Sequence, residues 1–268
     1  MKSDVKSIGI FDSGLGGLTI LRQVRRLMPN ENLIYFGDTA HVPYGSKSKE
    51  TVTEYSLNIA RFLESKKVKL ILVACNTASA LALPTLKRHI KVPVLGVINP
   101  GARRASAATK NKNIAVLGTE ATIKSKEYPK HIKRIDKNIT VSQFACPLFV
   151  PLIEEGLTQD KITTLVIEKY LAPLKSLNAD TVILGCTHYP VIKQNITDAL
   201  GGKVQLVDSA EEIAKEAKAL LERKKMLKTK GKGKIEIYAS DSPERFSKLA
   251  VNIIGGKRPK VKESRFYI

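Results

Sequence analysis

Short runs of apolar and β-branched residues alternate along this chain with stretches whose apolar residues recur at helical spacing, and few folds can bury that pattern. "IGIF" at 8–11 is one such run. Leu18, Leu21, Val24 and Leu27 then follow at helical spacing until Pro29 stops them. "NLIYFGD" at 32–38 precedes a loop and a helix from about Lys49 to Glu64. "VKLILVACN" leads into a helix over "TASALALPTLKRHI", and "VPVLGVI" at 92–98 gives a fourth strand. Strands that lack polar alternation are buried on both faces. The pattern therefore predicts an α/β fold, a mostly parallel sheet flanked by helices.

After "NPG" at 99–101 the alternation restarts. A strand and turn are predicted over 113–123, a strand and loop over 139–156 and a helix over 158–176. "ADTVILGCTHYP" carries the next strand, a helix follows to about Leu200, and "VQLVD" closes the run. "IGIFDS" at 8–13 matches "IAVLGT" at 114–119 at an offset of 106 residues, and the segments around Cys75 and Cys186 match at an offset of 111. Two such offsets predict two similar domains related by a pseudo-two-fold, with the active site in the cleft between them. Residues 1–98 together with a returning segment, 209–268, are expected to form the first, and residues 99–208 the second. The crossings near Asn99–Pro100 and Asp208 are expected to act as hinges.

At 268 residues, with 43% hydrophobic and 26% charged residues, the composition is ordinary for a soluble globular chain. No apolar run is long enough for a signal peptide or a membrane span, so a cytoplasmic protein without a membrane partner is expected. Cys75, Cys146 and Cys186 are too few and too far apart for a disulfide framework. There is no CxxC or HExxH, and His41, His89, His131 and His188 are scattered, so no metal site is expected. The net charge of +20 would draw anions. Its densest cluster, "ERKKMLKTKGKGK" at 222–234, reads as a helix end running into a mobile loop. No aromatic residues interleave these lysines, which weighs against nucleic acid as a partner.

In parallel α/β sheets, ligands sit outside the carboxyl ends of the strands. Asp12, Ser13, Cys75, Thr119, Cys186 and His188 all fall at or just past predicted strand ends. Cys146, in "FACPLFVP", reads instead as an inert core residue. Cys75 and Cys186 are each followed by hydroxyl or amide residues and then by a predicted helix, whose N-terminus would favour the thiolate. Two thiols on opposite sides of one cleft suit proton transfer at carbon: one removes a proton from one face and the other delivers a proton to the opposite face. Gly14, Gly16 and Gly17 do not complete GxGxxG, because position 19 is threonine, so no dinucleotide cofactor is expected.

"IFDSGLGGLTILR", "YFGDTAHVPYGSKS", "VACNTASA", "ACPLFVPLIEEG" and "ILGCTHYP", in this order, resemble the glutamate racemases. The resemblance runs from residue 8 to about 190, and "IEIYASDSPERFSKLA" at 235–250 is similar to the family's last strand and helix, though less closely. It implies interconversion of L- and D-glutamate without a cofactor, supplying D-glutamate for peptidoglycan, and a homo-oligomer such as a dimer is expected. It also implies that Cys75 takes the α-proton of D-glutamate and Cys186 that of L-glutamate. Asp12 would stand beside the first thiol and His188 beside the second. Asp12, Ser13, Tyr44, Gly45, Asn76, Thr77, Thr187 and His188 would hold the substrate, with Thr119 and Glu154 as further candidates. Both Glu154 and Glu155 fit "EEG".

Other functions remain open at this point. An aspartate or hydantoin racemase would keep the fold and both thiols. A nucleic-acid- or topoisomerase-binding protein would use the basic surface, and a thiol redox protein would pair Cys75 with Cys186. Asp12 has a rival role as the cap of the turn before its helix, and His188 as a structural histidine.

Overall fold

The computed structural model describes residues 6–264. It opens with β1 (Ile8–Asp12), α1 (Leu18–Leu27), β2 (Leu33–Gly37), α2 (Lys49–Ser65) and β3 (Leu70–Val73). α3 (Asn76–Leu81), α4 (Leu83–His89), β4 (Val94–Gly96) and α5 (Ile98–Ala108) follow. Next come β5 (Asn113–Gly118), α6 (Glu120–Ser125), α7 (Glu127–Ile135), β6 (Thr140–Ala145) and α8 (Phe149–Glu154). The chain continues through α9 (Lys161–Lys175), β7 (Thr181–Gly185), α10 (Lys193–Ala199) and β8 (Gln205–Val207). α11 (Ala210–Arg223), β9 (Ile235–Ala239), α12 (Pro243–Ile254) and β10 (Val261–Glu263) complete it.

The strands form two parallel sheets, in the orders β10-β9-β2-β1-β3-β4 and β6-β5-β7-β8. The runs β2-β1-β3-β4 and β6-β5-β7-β8 are equivalent: each unit's first strand lies between its second and third, and its fourth lies beyond the third. β9 and β10, from the returning C-terminal segment, widen the first sheet alone.

Strand side chains alternate between faces, and both faces of each sheet are covered. Ile8, Ile10, Leu70 and Leu72 pack with residues of α1, α11 and α12, whereas Phe11, Ile71 and Val73 pack with α2, α3 and α4. In the second sheet, Ala115, Leu117, Val182 and Leu184 meet α8, α9 and α10, while Ile114, Val116 and Ile183 meet α5 and α7. The expected α/β fold of two helix-flanked, parallel sheets is observed.

Three local features differ from the sequence expectation. The helix expected after β3 is broken at Ala82 into α3 and α4. Pro84, at the start of α4, has no N–H to give the Ala80 carbonyl and cannot continue α3. Asn99 and Pro100, where a short crossing is expected, lie in the first turn of α5, where a missing N–H costs nothing. The residues expected to form a loop before 156 include the short helix α8.

The lysine-rich segment is also pinned where a mobile loop was expected. Lys69 Nζ donates to the Met226 carbonyl at 2.7 Å, and the Lys228 N–H donates to Glu31 Oε1 at 2.8 Å. Asn30 Nδ2 donates to the Thr229 carbonyl, and the Gly233 N–H to that of Pro29. No helix among the described residues is long and apolar enough to cross a membrane.

Candidate active site

The residues singled out in the sequence gather at the carboxyl ends of both sheets. Asp12 is the last residue of β1, Cys75 lies two residues past β3, Thr119 follows β5 directly and Cys186 follows β7. Buried hydrogen bonds join the sheets here. Thr187 donates its hydroxyl to Asp12 Oδ1 at 3.1 Å, the Thr77 and Thr119 hydroxyls lie 2.8 Å apart, and Tyr128 donates to Asn76 Oδ1 at 2.7 Å. Asp12 Oδ2 accepts from the Gly14 and Gly17 N–H groups, so this carboxylate both caps the turn and ties the two sheets together.

Cys75 caps α3, its Sγ accepting the Ala78 N–H at 3.5 Å and lying 3.8 Å from the Ser13 hydroxyl. Burial nonetheless pushes this thiol up to about 12, the Asp12 charge adds to the rise, and the Ala78 N–H only partly offsets it. The thiolate-favouring helix end expected from sequence is thus outweighed, since α3 has only six residues and the thiol is buried.

Cys186 does not cap an α-helix, because a single 3-10 turn, Tyr189–Ile192, intervenes before α10. Its partner is a side chain. His188 Nδ1 lies 3.7 Å from Cys186 Sγ, and His188 Nε2 lies 2.6 Å from Glu154 Oε1. Burial by itself would lower the pKa of His188, but Cys186 and Glu154 together raise it well above the ordinary histidine range. Burial pushes the Glu154 carboxyl up, but His188, the Leu15 N–H and the Arg245 charge together reverse this and leave it below the usual range.

The choice between the two glutamates is settled by exposure. The Glu154 side chain is 17% exposed and meets His188, whereas that of Glu155 is 64% exposed and pairs with Arg245 in solvent. Cys146 is free and buried, and burial pushes it up to about 12, as suits an inert core thiol.

Tyr44 is buried in the core cluster that holds Cys75, with its hydroxyl donated to Asp38, and Gly45 lies hard against the Thr119 side chain. The side chain of Asn76 is buried, and its Nδ2 has no hydrogen-bond partner. A buried amide donor left unused is costly unless a ligand accepts from it, so this group is suited to a carboxylate. Among the described residues, no three His, Cys, Asp or Glu side chains gather as a metal site would need.

The "GLGG" turn packs directly on the second sheet. A Cβ at Gly16 would stand 2.5 Å from Thr187 Oγ1 and 2.8 Å from the His188 backbone nitrogen. Gly16→Ala should hold the sheets apart at this point, with an expected loss of about 100-fold in kcat/KM and an intact circular dichroism spectrum. Wild-type kinetics in that variant would show that the turn does not set the spacing of the site.

Sequence reasoning missed Tyr35, Asp38 and Tyr128. Asp38 follows β2 as Asp12 ends β1, and the strand-end rule would have found it. The two tyrosines reach the site only through hydrogen bonds, to the Gly14 carbonyl and to Asn76 Oδ1, which have no local signature.

Paired buried thiols at equivalent strand ends of two facing α/β units are the arrangement of an isomerase acting at carbon. The chain belongs to the Asp/Glu/Hydantoin racemase family, whose model matches residues 18–217. It is 50% identical over 253 residues to the glutamate racemase of Geobacter metallireducens, which spans 94% of each chain. The crystal structure of glutamate racemase isoform RacE1 from Bacillus anthracis superposes with a TM-score of 0.94 at 36% identity, covering 97% of this chain and 98% of the other. That of the Francisella tularensis glutamate racemase in complex with D-glutamate superposes with a TM-score of 0.91 at 37% identity, with the same coverage.

Proposed function

We propose that this racemase interconverts L- and D-glutamate, with Cys75 and Cys186 as its two proton-transfer groups. The observation that carries the proposal is the placement of two free, buried thiols past the third strand of each equivalent unit, at the carboxyl ends of the two sheets. Cys186 Sγ, as thiolate, takes the α-proton of L-glutamate while the Cys75 thiol gives its proton to the opposite face. The carbon then carries the inverted configuration, and thiol and thiolate have exchanged. D-glutamate runs the same steps from Cys75. Burial and Asp12 make Cys75 a scarce but strong base, which suits a weak carbon acid, and the substrate's ammonium offsets the Asp12 charge on binding.

His188, held by Glu154, is placed to move a proton at Cys186 Sγ. Asn76, Thr77, Thr119, Thr187, Ser13 and the Tyr44–Gly45 backbone are assigned to the substrate's carboxylates and ammonium, supported by their convergence and by the unused Asn76 amide. Residues 1–98 with 209–268 are assigned to one domain and 99–208 to the other, of which 1–5 and 265–268 lie outside the described residues. A cytoplasmic homodimer completes the proposal, and its role in supplying D-glutamate for peptidoglycan is supported by the likeness to curated glutamate racemases.

Incubation with each enantiomer in deuterium oxide, with no cofactor added, tests this assignment. Deuterium at the α-carbon of the inverted glutamate is the expected result. Exchange with aspartate and not glutamate would change the substrate, and exchange with neither would overturn the proposal.

A further inference from the structure

We propose that Tyr35 is a positioning residue for the Cys186 side of the site, acting through the peptide unit that joins Gly14 to Leu15. The Tyr35 hydroxyl, on β2 of the first sheet, donates to the Gly14 carbonyl at 2.7 Å. The N–H of the same peptide unit, that of Leu15, donates to Glu154 Oε1 at 3.2 Å. That oxygen is the one 2.6 Å from His188 Nε2, and His188 Nδ1 faces Cys186 Sγ. A peptide is planar, so fixing its carbonyl fixes the direction of its N–H. Tyr35 therefore aims the donor that holds Glu154, which in turn holds His188. The line runs from one sheet to the thiol of the other.

The setting favours a tyrosine over a phenylalanine here. Tyr35 is wholly buried, and its hydroxyl sits so close beneath the turn that a Cβ at Gly17 would stand 2.8 Å from it. Burial, with the charges of Asp12, Glu154 and Cys75, raises its pKa far above the ordinary tyrosine range, so it remains a donor throughout the working pH range. Its ring also packs near that of Phe246, at a centroid distance of 6.2 Å. A purely structural role would need only the ring.

The proposal rests on the two-thiol mechanism above, and its test is separable from that of the mechanism. His188 is followed by ring-nitrogen NMR in the substrate-free enzyme, and kcat against pH is measured alongside. Glu154 helps raise the pKa of His188 against its burial, so a loosened Glu154 lets the pKa fall. Tyr35→Phe should lower the His188 titration midpoint, move the matching limb of the kcat profile to lower pH, and reduce kcat by about tenfold with KM little changed.

Ile213→Val, which loosens the same core away from the turn, should move neither the titration nor the profile. In a Glu154→Gln background, Tyr35→Phe should have no further effect on His188. Should Tyr35→Phe fail to fold, 3-fluorotyrosine placed at position 35, a stronger donor, should shift the midpoint upward instead. An unmoved His188 titration in Tyr35→Phe, or in the 3-fluorotyrosine enzyme should Tyr35→Phe not fold, overturns the proposal. If Cys186→Ser stays fully active, the mechanism fails, while a shifted His188 would leave the coupling through the peptide standing.

Discussion

Cys75→Ser and Cys186→Ser each lose about 10³-fold or more in kcat/KM, in both directions. That loss corresponds to about 4 kcal/mol of transition-state stabilisation. A serine hydroxyl is a far weaker acid than a thiol. The burial that already pushes Cys75 up to about 12 would place an alkoxide there out of reach. The two variants nevertheless differ in what survives. With Cys75 replaced, Cys186 can still remove the α-proton of L-glutamate and return one from solvent to the same face. Deuterium should then enter L-glutamate without inversion. Cys186→Ser should show the converse, with label entering D-glutamate alone. Full racemisation in either variant would sink the two-thiol mechanism.

Lys69→Met is expected to cost about 3–5 kcal/mol of stability, because it leaves Glu31 charged and buried. The Lys69 and Glu31 side chains are 1% and 0% exposed, with Nζ 2.9 Å from Oε1 and 2.7 Å from Oε2. For a chain of this size the melting temperature should fall by roughly 10 °C. Lys69 also holds the Met226 carbonyl, and Glu31 holds the Lys228 N–H, so residues 224–234 should become open to trypsin before the rest unfolds. Replacing both partners, Lys69→Met with Glu31→Leu, should recover much of the melting temperature and leave the segment loose. A melting temperature within a degree of wild type for Lys69→Met alone would show that the pair contributes nothing net.

That pair also explains what the sequence could not reveal. Lysines and glycines at 224–234 read as a mobile loop, since the ties that hold them come from positions 30, 31 and 69. The strands were legible because burial on both faces leaves runs such as "LILV" free of polar residues. α5 was hidden because Asn99, Pro100 and Gly101 carry turn chemistry. A helix tolerates proline in its first turn, and Gly101 lets Tyr128 approach closely.

Within the site, Asp12, Cys75, Cys186 and His188 could be picked out because strand ends are where such sheets place their chemistry. Glu154 could not be told from Glu155, since one residue of rotation at the end of α8 decides which meets His188. Nothing in the sequence around Tyr35 and Tyr128 singles them out, and only the peptide and amide they bond to distinguish them.

The matched strand orders give the two thiols equivalent scaffolds, yet their neighbours are unlike: a hydroxyl and a backbone N–H at Cys75, a histidine–glutamate pair at Cys186. Mirror-image amino acids are equal in free energy in water, so kcat/KM must be the same in both directions whatever surrounds each sulfur. The uneven neighbours are therefore felt only as paired changes in kcat and KM. The enantiomer whose complex is more stable saturates the enzyme at lower concentration and leaves it more slowly. Such a catalyst cannot favour one hand at equilibrium, but it can be throttled by one hand more readily than by the other.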